Sequence, residues 1–278
     1  MSRQTKAVEE ARSLGGRLLA ETLREHPIAS EAALRDALVA KMAAEPSIYP
    51  AGWYDPPPGG VAFLAAEAPF ARLQFESLRP ERSWPSAESK VSEEAVVMAY
   101  LSPVHKETGM LGDIGLTLYR GKDERVRAHL RSCYETVLGL AERAEPGMRM
   151  RDLFDIAMED VFKKGGRHIG WMSTTHDPQQ VNLGHTAPGS YGELLPSGSF
   201  EEVREAIRTR RLYINAVEEF RIPDTCAFTV EARLTDASEE MPNTFFHLIV
   251  LFEDGKRRIL SGFDEMFEAW DMGYMRSP

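Results

Sequence analysis

Residues 124–144 read ERVRAHLRSCYETVLGLAERA, and after a Pro146-Gly147 break residues 151–162 read RDLFDIAMEDVF. Apolar residues recur at spacings of three and four through both stretches, the stripe that a helix buries against a sheet. The same phrase occurs near the start of the chain. Residues 5–42 read as a long amphipathic helix, a break at Pro27, and a second helix carrying ALRDALVAKM. Superposing Pro27 on Pro146 brings Leu34 onto Leu153 and Asp36 onto Asp155. Each helix pair is followed by β-rich sequence. In the first half, VAFLA (61–65) and FARLQF (70–75) lead to AVVMAYL (95–101) and DIGLTLYRG (113–121). In the second, CAFTVEARL (226–234) precedes FFHLIVLFEDGKRRILSGF (245–263), with Asp254-Gly255 at the turn of a hairpin. Two helix–helix–sheet units in tandem predict one α+β domain over residues 1–278, with pseudo-twofold halves at about 1–122 and 123–278. An active site is expected between the halves.

Composition narrows the function. The 278 residues carry a formal net charge of −10, which argues against nucleic acid and against an anionic membrane surface, since both need a basic footprint. The first sixteen residues, MSRQTKAVEEARSLGG, are polar and lack the apolar stretch of a signal peptide. No run reaches the length of a membrane span, so the expected location is the cytoplasm. Cys133 and Cys226 lack metal-ligand spacing and are expected to be reduced packing residues.

Two segments are too rich in proline and glycine or too irregular for regular structure: YPAGWYDPPPGG (49–60) and RPERSWPSAESK (79–90). They read either as one wall of a pocket or as solvated connectors. A helix begins near Ser199, with Glu202 completing a capping box, and its arginines and glutamates read as a solvated face. The aromatic and methionine-rich tail DEMFEAWDMGYMRSP (264–278) is expected to pack on the body or on a second subunit, as in a homodimer.

The chemistry concentrates in the order of a few strings. Asp113 heads a strand in GDIGLTLYRGK, His185 lies in NLGHTAPG, Glu231 lies in AFTVEARL, and a last strand runs into a Glu-Asp-Gly turn. This ordered set resembles the methionine aminopeptidase/prolidase/creatinase family, the pita-bread fold, over nearly the whole chain. In that family a Gly-Asp pair opens a strand, a Gly-His motif holds a histidine, and Phe-Thr-Ile-Glu-Pro supplies a glutamate. Here the last reads Phe228-Thr229-Val230-Glu231, with Ala232 in place of proline. The resemblance implies two divalent metals on two aspartates, one histidine and two glutamates. Asp113, His185 and Glu231 match three of these. The first aspartate falls on Ser102 and the last glutamate on Phe246, beside His247. The family's substrate-touching histidine has no counterpart near LQFESL (73–78).

Two close dications need bridging carboxylates to coordinate them and neutralise their charge. With two of those missing, a two-metal aminopeptidase is not expected. Asp113, His185 and Glu231 still suit one Zn, Fe or Mn ion. His247 or His105 adds a ligand if the local register differs by one residue, because adjacent side chains of a strand face opposite ways. His176, just before NLGH, and Glu76 are candidate substrate-binding residues.

The leading expectation is an enzyme that hydrolyses a C–N bond in a small amino-acid-derived or peptide substrate, a metallopeptidase-like hydrolase with a mononuclear metal site. Three alternatives stand beside it. One is a metal-free, creatinase-like hydrolase using His185 with Glu231 or Glu76 for acid/base and binding work. Another is an inactive fold that keeps its cleft for a peptide or protein partner. The last is a mononuclear iron enzyme that activates oxygen.

Overall fold

Ser2 and Ser30 start the two N-terminal helices. In this computed structural model, which describes residues 2–74, 77–162, 168–169, 181–235 and 240–276, helix α1 spans Arg3–Glu25 and α2 spans Glu31–Ala44. Each serine hydroxyl accepts from a first-turn N–H, at Thr5 and Ala33, so one orphan donor of each helix is satisfied. Pro27 separates the pair. Asp123 caps α3 (Glu124–Ala141), and α4 (Met150–Ile156) follows the Pro146-Gly147 break before a π-helical segment over Ala157–Phe162. The helix–break–helix phrase therefore occurs twice, as its periodicity predicts.

The strands are β1 (Val61–Ala66), β2 (Val96–Leu101), β3 (Ile114–Leu118), β4 (His168–Ile169), β5 (Cys226–Val230), β6 (Arg233–Thr235), β7 (Thr244–Glu253) and β8 (Lys256–Leu260). All pairings among them are antiparallel, in the order β1-β2-β3-β7-β6-β4, with β5 and β8 also on β7. Over its described residues, 70–74, the expected FARLQF strand is not formed. Pro69 and a left-handed Phe70 turn the chain, and Ala71–Leu73 is a short 3-10 turn. The expected hairpin is formed: Glu253 pairs with Lys256 across Asp254-Gly255, both with positive φ as a two-residue primed turn requires.

β7 is the spine. Its first half pairs with β3 and β6, its second half with β8 and β5. One face of the sheet packs on helices: Phe246 of β7 meets Tyr134 of α3 with ring centroids 5.2 Å apart. Arg12 of α1 stitches the spine from the helical side, donating to the carbonyls of Asp113, His247 and Ser261. Glu31, fully buried at the start of α2, accepts from the N–H groups of Ala65 and Ser86 and from two nitrogens of Arg72, which ties α2 to β1 and to the 79–90 segment.

Helix α5 (Phe200–Arg210) starts at the expected Ser199/Glu202 capping box, and α6 (Asp264–Ala269) packs on α1. Both cysteines are buried and neither is in a disulfide. No helix among the described residues is long and apolar enough to cross a membrane.

Candidate active site

Three strand ends and one loop meet on the sheet face opposite α3. Asp113 immediately precedes β3. Glu231 sits in the gap where β5 gives way to β6 along one edge of β7. Val230 pairs with Leu248, so the next step along β5 sets Glu231 across from His247. Gly115 pairs with His247 on the other edge. His185 arrives on a short bridge to β5: its N–H donates to Thr229 Oγ1 at 2.8 Å and its carbonyl accepts from the Thr229 N–H at 2.8 Å. That approach explains the glycine before it. Gly184 has φ of 146°, and a Cβ there would lie 2.0 Å from the Thr229 carbonyl oxygen.

The four side chains form a buried chain of contacts. Asp113 Oδ2 lies 3.7 Å from His185 Nε2, which lies 3.7 Å from Glu231 Oε1; Glu231 Oε2 lies 3.6 Å from His247 Nδ1. None is more than 4% exposed. The surrounding groups fix their orientation. Trp53 Nε1 donates to Asp113 Oδ1 at 2.6 Å, and the Thr229 hydroxyl lies 3.2 Å from Glu231 Oε1. Tyr100 stacks on His247 at 6.2 Å, and the Trp53 ring meets His185 edge-on at 5.6 Å.

Burial dominates the electrostatics, because it penalises every charged form. It pushes the Asp113 carboxyl up to about 7 against the Trp53 hydrogen bond and the charges of Arg211 and Arg12. Burial, then the charge of Asp113, pushes Glu231 up to about 8. Burial and Arg211 bring His185 down to about 3, and burial with Arg12 holds His247 well below the usual imidazole range. Both imidazoles are therefore neutral near pH 7.

The tautomer of His185 follows. Its Nδ1 lies 3.0 Å from the Thr186 carbonyl oxygen. A carbonyl only accepts, so Nδ1 carries the proton and Nε2 presents a lone pair. That lone pair faces oxygens of two carboxylates. Asp113 Oδ2 and both nitrogens of His247 have no hydrogen-bond partner. Orphaned buried acceptors of this kind call for a cation or a shared proton between them.

The donor types are those a divalent ion takes, but the side chains stand further apart than a coordination shell requires. Two carboxylates and two imidazoles match the types that Zn, Fe or Mn take. The 3.6–3.7 Å gaps exceed by a few tenths the edge of a tetrahedral shell, about 3.3 Å at ordinary bond lengths. Among the described residues, no group of three or more His, Cys, Asp or Glu is placed to hold a metal ion. At the first aspartate's expected place, Ser102 Oγ donates to the Gly60 carbonyl and accepts from the Tyr54 N–H.

Asp113, His185 and Glu231 thus come together as expected. His247 joins them, and the expectation that Phe246 holds the last glutamate's place is corrected: the strand turns Phe246 to the helices and His247 to the site. His105 does not join. It lies 3.7 Å from Glu10 and 3.0 Å from Thr108 beside a surface groove of about 600 Å³. Glu76 and His176 lie outside the described residues. The loop 49–60 forms a wall, supplying Trp53 and Tyr54, and Arg79 of the 79–90 segment lies over Tyr54 at 4.4 Å. Three residues escaped the sequence reading: Trp53, Tyr100 and Arg211. The last directly follows a helix read as a solvated face, yet it is 5% exposed and stacks on Trp53 at 4.4 Å. A tryptophan inside a proline-glycine loop was the available signal for Trp53.

No protein-family model matches the chain, and no curated protein matches its sequence. Solved structures do match. Methionine aminopeptidase from Rickettsia prowazekii superposes with a TM-score of 0.62 at 13% identity, over 93% of this chain and 97% of that one. Methionine aminopeptidase from Thermotoga maritima gives 0.60 at 14%, over 92% and 96%. X-Pro aminopeptidase from Thermotoga maritima gives 0.61 at 14%, over 99% of this chain, which spans only 61% of that protein's length. At such identities the likeness concerns architecture alone. This chain carries the pita-bread fold of the methionine aminopeptidases and prolidases.

Proposed function

We propose that the protein is a hydrolase acting on a C–N bond of a small amino-acid-derived or peptide substrate, with one divalent metal ion held by Asp113, His185, Glu231 and His247. The observation that carries this reading is the His185 Nε2 lone pair, set 3.7 Å from oxygens of both carboxylates. Lone pairs facing one another in a buried site repel unless a positive charge lies among them. Bound there, a divalent ion would lower the pKa of its water and polarise the substrate carbonyl.

The chain's own residues do the rest. Thr186 fixes the His185 tautomer through its carbonyl, and Trp53 leaves Asp113 only Oδ2 to offer. Thr229 orients Glu231, its hydroxyl lying 3.2 Å from Oε1. Burial keeps bulk water from competing. The solved peptidases of this fold support the reaction class.

The test is the metal content of protein purified without chelator, and Mn²⁺ binding by titration calorimetry. One equivalent, lost in Asp113→Ala and His185→Ala, is expected. No binding even after soaking sinks the metal reading. It would favour the metal-free alternative, for which carboxyls that keep a proton near pH 7 and 8 are the specific support.

A further inference from the structure

Residues 211–214 leave helix α5 as an extended segment that pairs with the stretch carrying His185. Arg211 has φ of −66° and ψ of 137°. The Thr186 and Ile214 N–H groups donate across the pair to the carbonyls of Leu212 and Gly184 at 2.8 and 2.9 Å, and Tyr213 stands directly opposite His185. Residues opposite one another in an antiparallel pair share a face, and so do residues two apart along an extended chain. Arg211, Tyr213 and the His185 imidazole therefore lie on one side. The distances agree: the Tyr213 and His185 ring centroids are 6.4 Å apart, and the Arg211 guanidinium carbon lies 5.4 Å from the Tyr213 centroid and 4.4 Å from that of Trp53. Trp53 meets His185 at 5.6 Å, which closes a circuit of four groups with the guanidinium across from the imidazole.

Arg211 and Tyr213 are each 5% exposed, and their donors are unused. Arg211 Nε and Nη2 are buried without a hydrogen-bond partner, and so is the Tyr213 hydroxyl. Nε–H and Nη2–H form one edge of the guanidinium fork, the edge that matches the two oxygens of a carboxylate. Arginines of the preceding helix are answered by acids: Arg204 lies 3.2 Å from Glu201, and Arg208 lies 3.9 Å from it. Neither Asp113 nor Glu231 hydrogen-bonds to the open edge of Arg211, although its charge bears on both. The faces of Trp53 and Tyr213 hold the cation but supply no acceptor to its edge. Burying a charged donor without an acceptor is costly, so the edge needs an occupant.

We propose that Arg211, with Tyr213 beside it, is a subsite for a carboxylate group, and that the protein therefore takes small substrates with a free carboxylate near the bond to be broken. The subsite stands on the geometry of these two residues; that its occupant is the substrate rests on the hydrolase reading of the neighbouring cluster. A monoanion fits better than a phosphate. One guanidinium balances one negative charge, whereas a dianion would stand close to the carboxylates of Asp113 and Glu231. Further arginines gather along the same loop. Arg79 lies over Tyr54 at 4.4 Å, and Arg204 and Arg208 both donate to the Asp55 carbonyl. On a chain of net charge −10 this grouping attracts an anion toward the loop that carries Trp53.

The experiment measures binding of N-acetylglycine and of its N-methylamide to the full chain by ligand-observed NMR, with chelator present so that no metal takes part. The wild type is expected to bind the acid at least about tenfold more tightly than the amide, the effect of a charged, two-point hydrogen bond. Arg211→Met is expected to lose that preference by weakening the acid alone. Tyr213→Phe keeps the ring and removes only the hydroxyl, so it preserves the test if Arg211→Met fails to fold. It is expected to weaken the acid by about threefold and leave the amide unchanged. Four results overturn the proposal: no detectable binding of the acid, equal binding of acid and amide, a preference that survives in folded Arg211→Met, or an acid affinity unchanged in Tyr213→Phe. Inorganic phosphate that displaces the acid at a lower concentration than acetate overturns the carboxylate assignment. A preference for the acid in a protein that takes up no Mn²⁺ keeps this proposal and sinks the metal reading. Mn²⁺ uptake without that preference does the reverse.

Discussion

Removing divalent ions is expected to make the protein less stable as pH rises through neutrality. In the metal-free fold the Asp113 and Glu231 carboxyls sit at about 7 and about 8, well above their unfolded values near 4. The folded state then binds more protons than the unfolded one, and stability falls as pH rises through the folded values. His185 and His247 work in the opposite sense, because their folded values are depressed. Their contribution is complete above the ordinary imidazole range near 6.5, so the carboxyls govern the window above it. Between about pH 6.5 and 8.5 the two carboxyls lose stabilisation on the order of 3 kcal/mol, at 1.4 kcal/mol for each unit of pH over which a proton is held. In a chain of this size that corresponds to a fall of roughly 5–10 °C in melting temperature. The assay is a thermal melt in chelator across this range, repeated with saturating Mn²⁺. A bound dication favours both ionised carboxylates, so it should flatten or reverse the slope. A metal-free protein whose melting temperature is level or rises with pH would refute the reasoning. A slope untouched by Mn²⁺ would refute the link to the cluster.

Further outcomes can be checked with the same methods. His247→Leu removes a buried imidazole without a partner, so it should raise metal-free stability by about 1–3 kcal/mol in urea titration while weakening Mn²⁺ binding. Gly184→Ala drives a Cβ toward the Thr229 carbonyl and should cost more than about 2 kcal/mol, with loss of Mn²⁺ binding as His185 shifts. Glu31→Gln breaks the ion pair between buried Glu31 and partly exposed Arg72 and should cost about 1–3 kcal/mol, yet leave Mn²⁺ binding unchanged, because Glu31 is tied to β1, two strands from β3 in the sheet.

The fold was legible where local physics is strong. Helix periodicity and the prolines at 27 and 146 gave both helix pairs, and the Asp254-Gly255 turn gave the hairpin. FARLQF misled because its apolar alternation ignored Pro69 and the turn at Phe70. In the site, Asp113, His185 and Glu231 could be placed because each lies beside a short motif. His247 and Phe246 could not be separated from spacing alone: one residue of register decides which faces the cluster, and only the pairing of Gly115 with His247 settles it. Arg211 contributes through tertiary contact with Trp53 and Tyr213, which no local pattern encodes.

The spine strand has a consequence for how the protein comes to exist. Gly115 and His247 pair across about 130 residues of chain, and the cluster surrounds that pairing. Closing so long a loop is paid for before its contacts return anything, so such pairings form late. The catalytic chemistry proposed for this chain would therefore be absent until β7 has been synthesised and inserted between β3 and β5. A nascent or truncated chain ending before residue 244 would lack His247, the strand that sets Glu231 opposite it, and the Phe246 side chain on which Tyr134 of α3 packs.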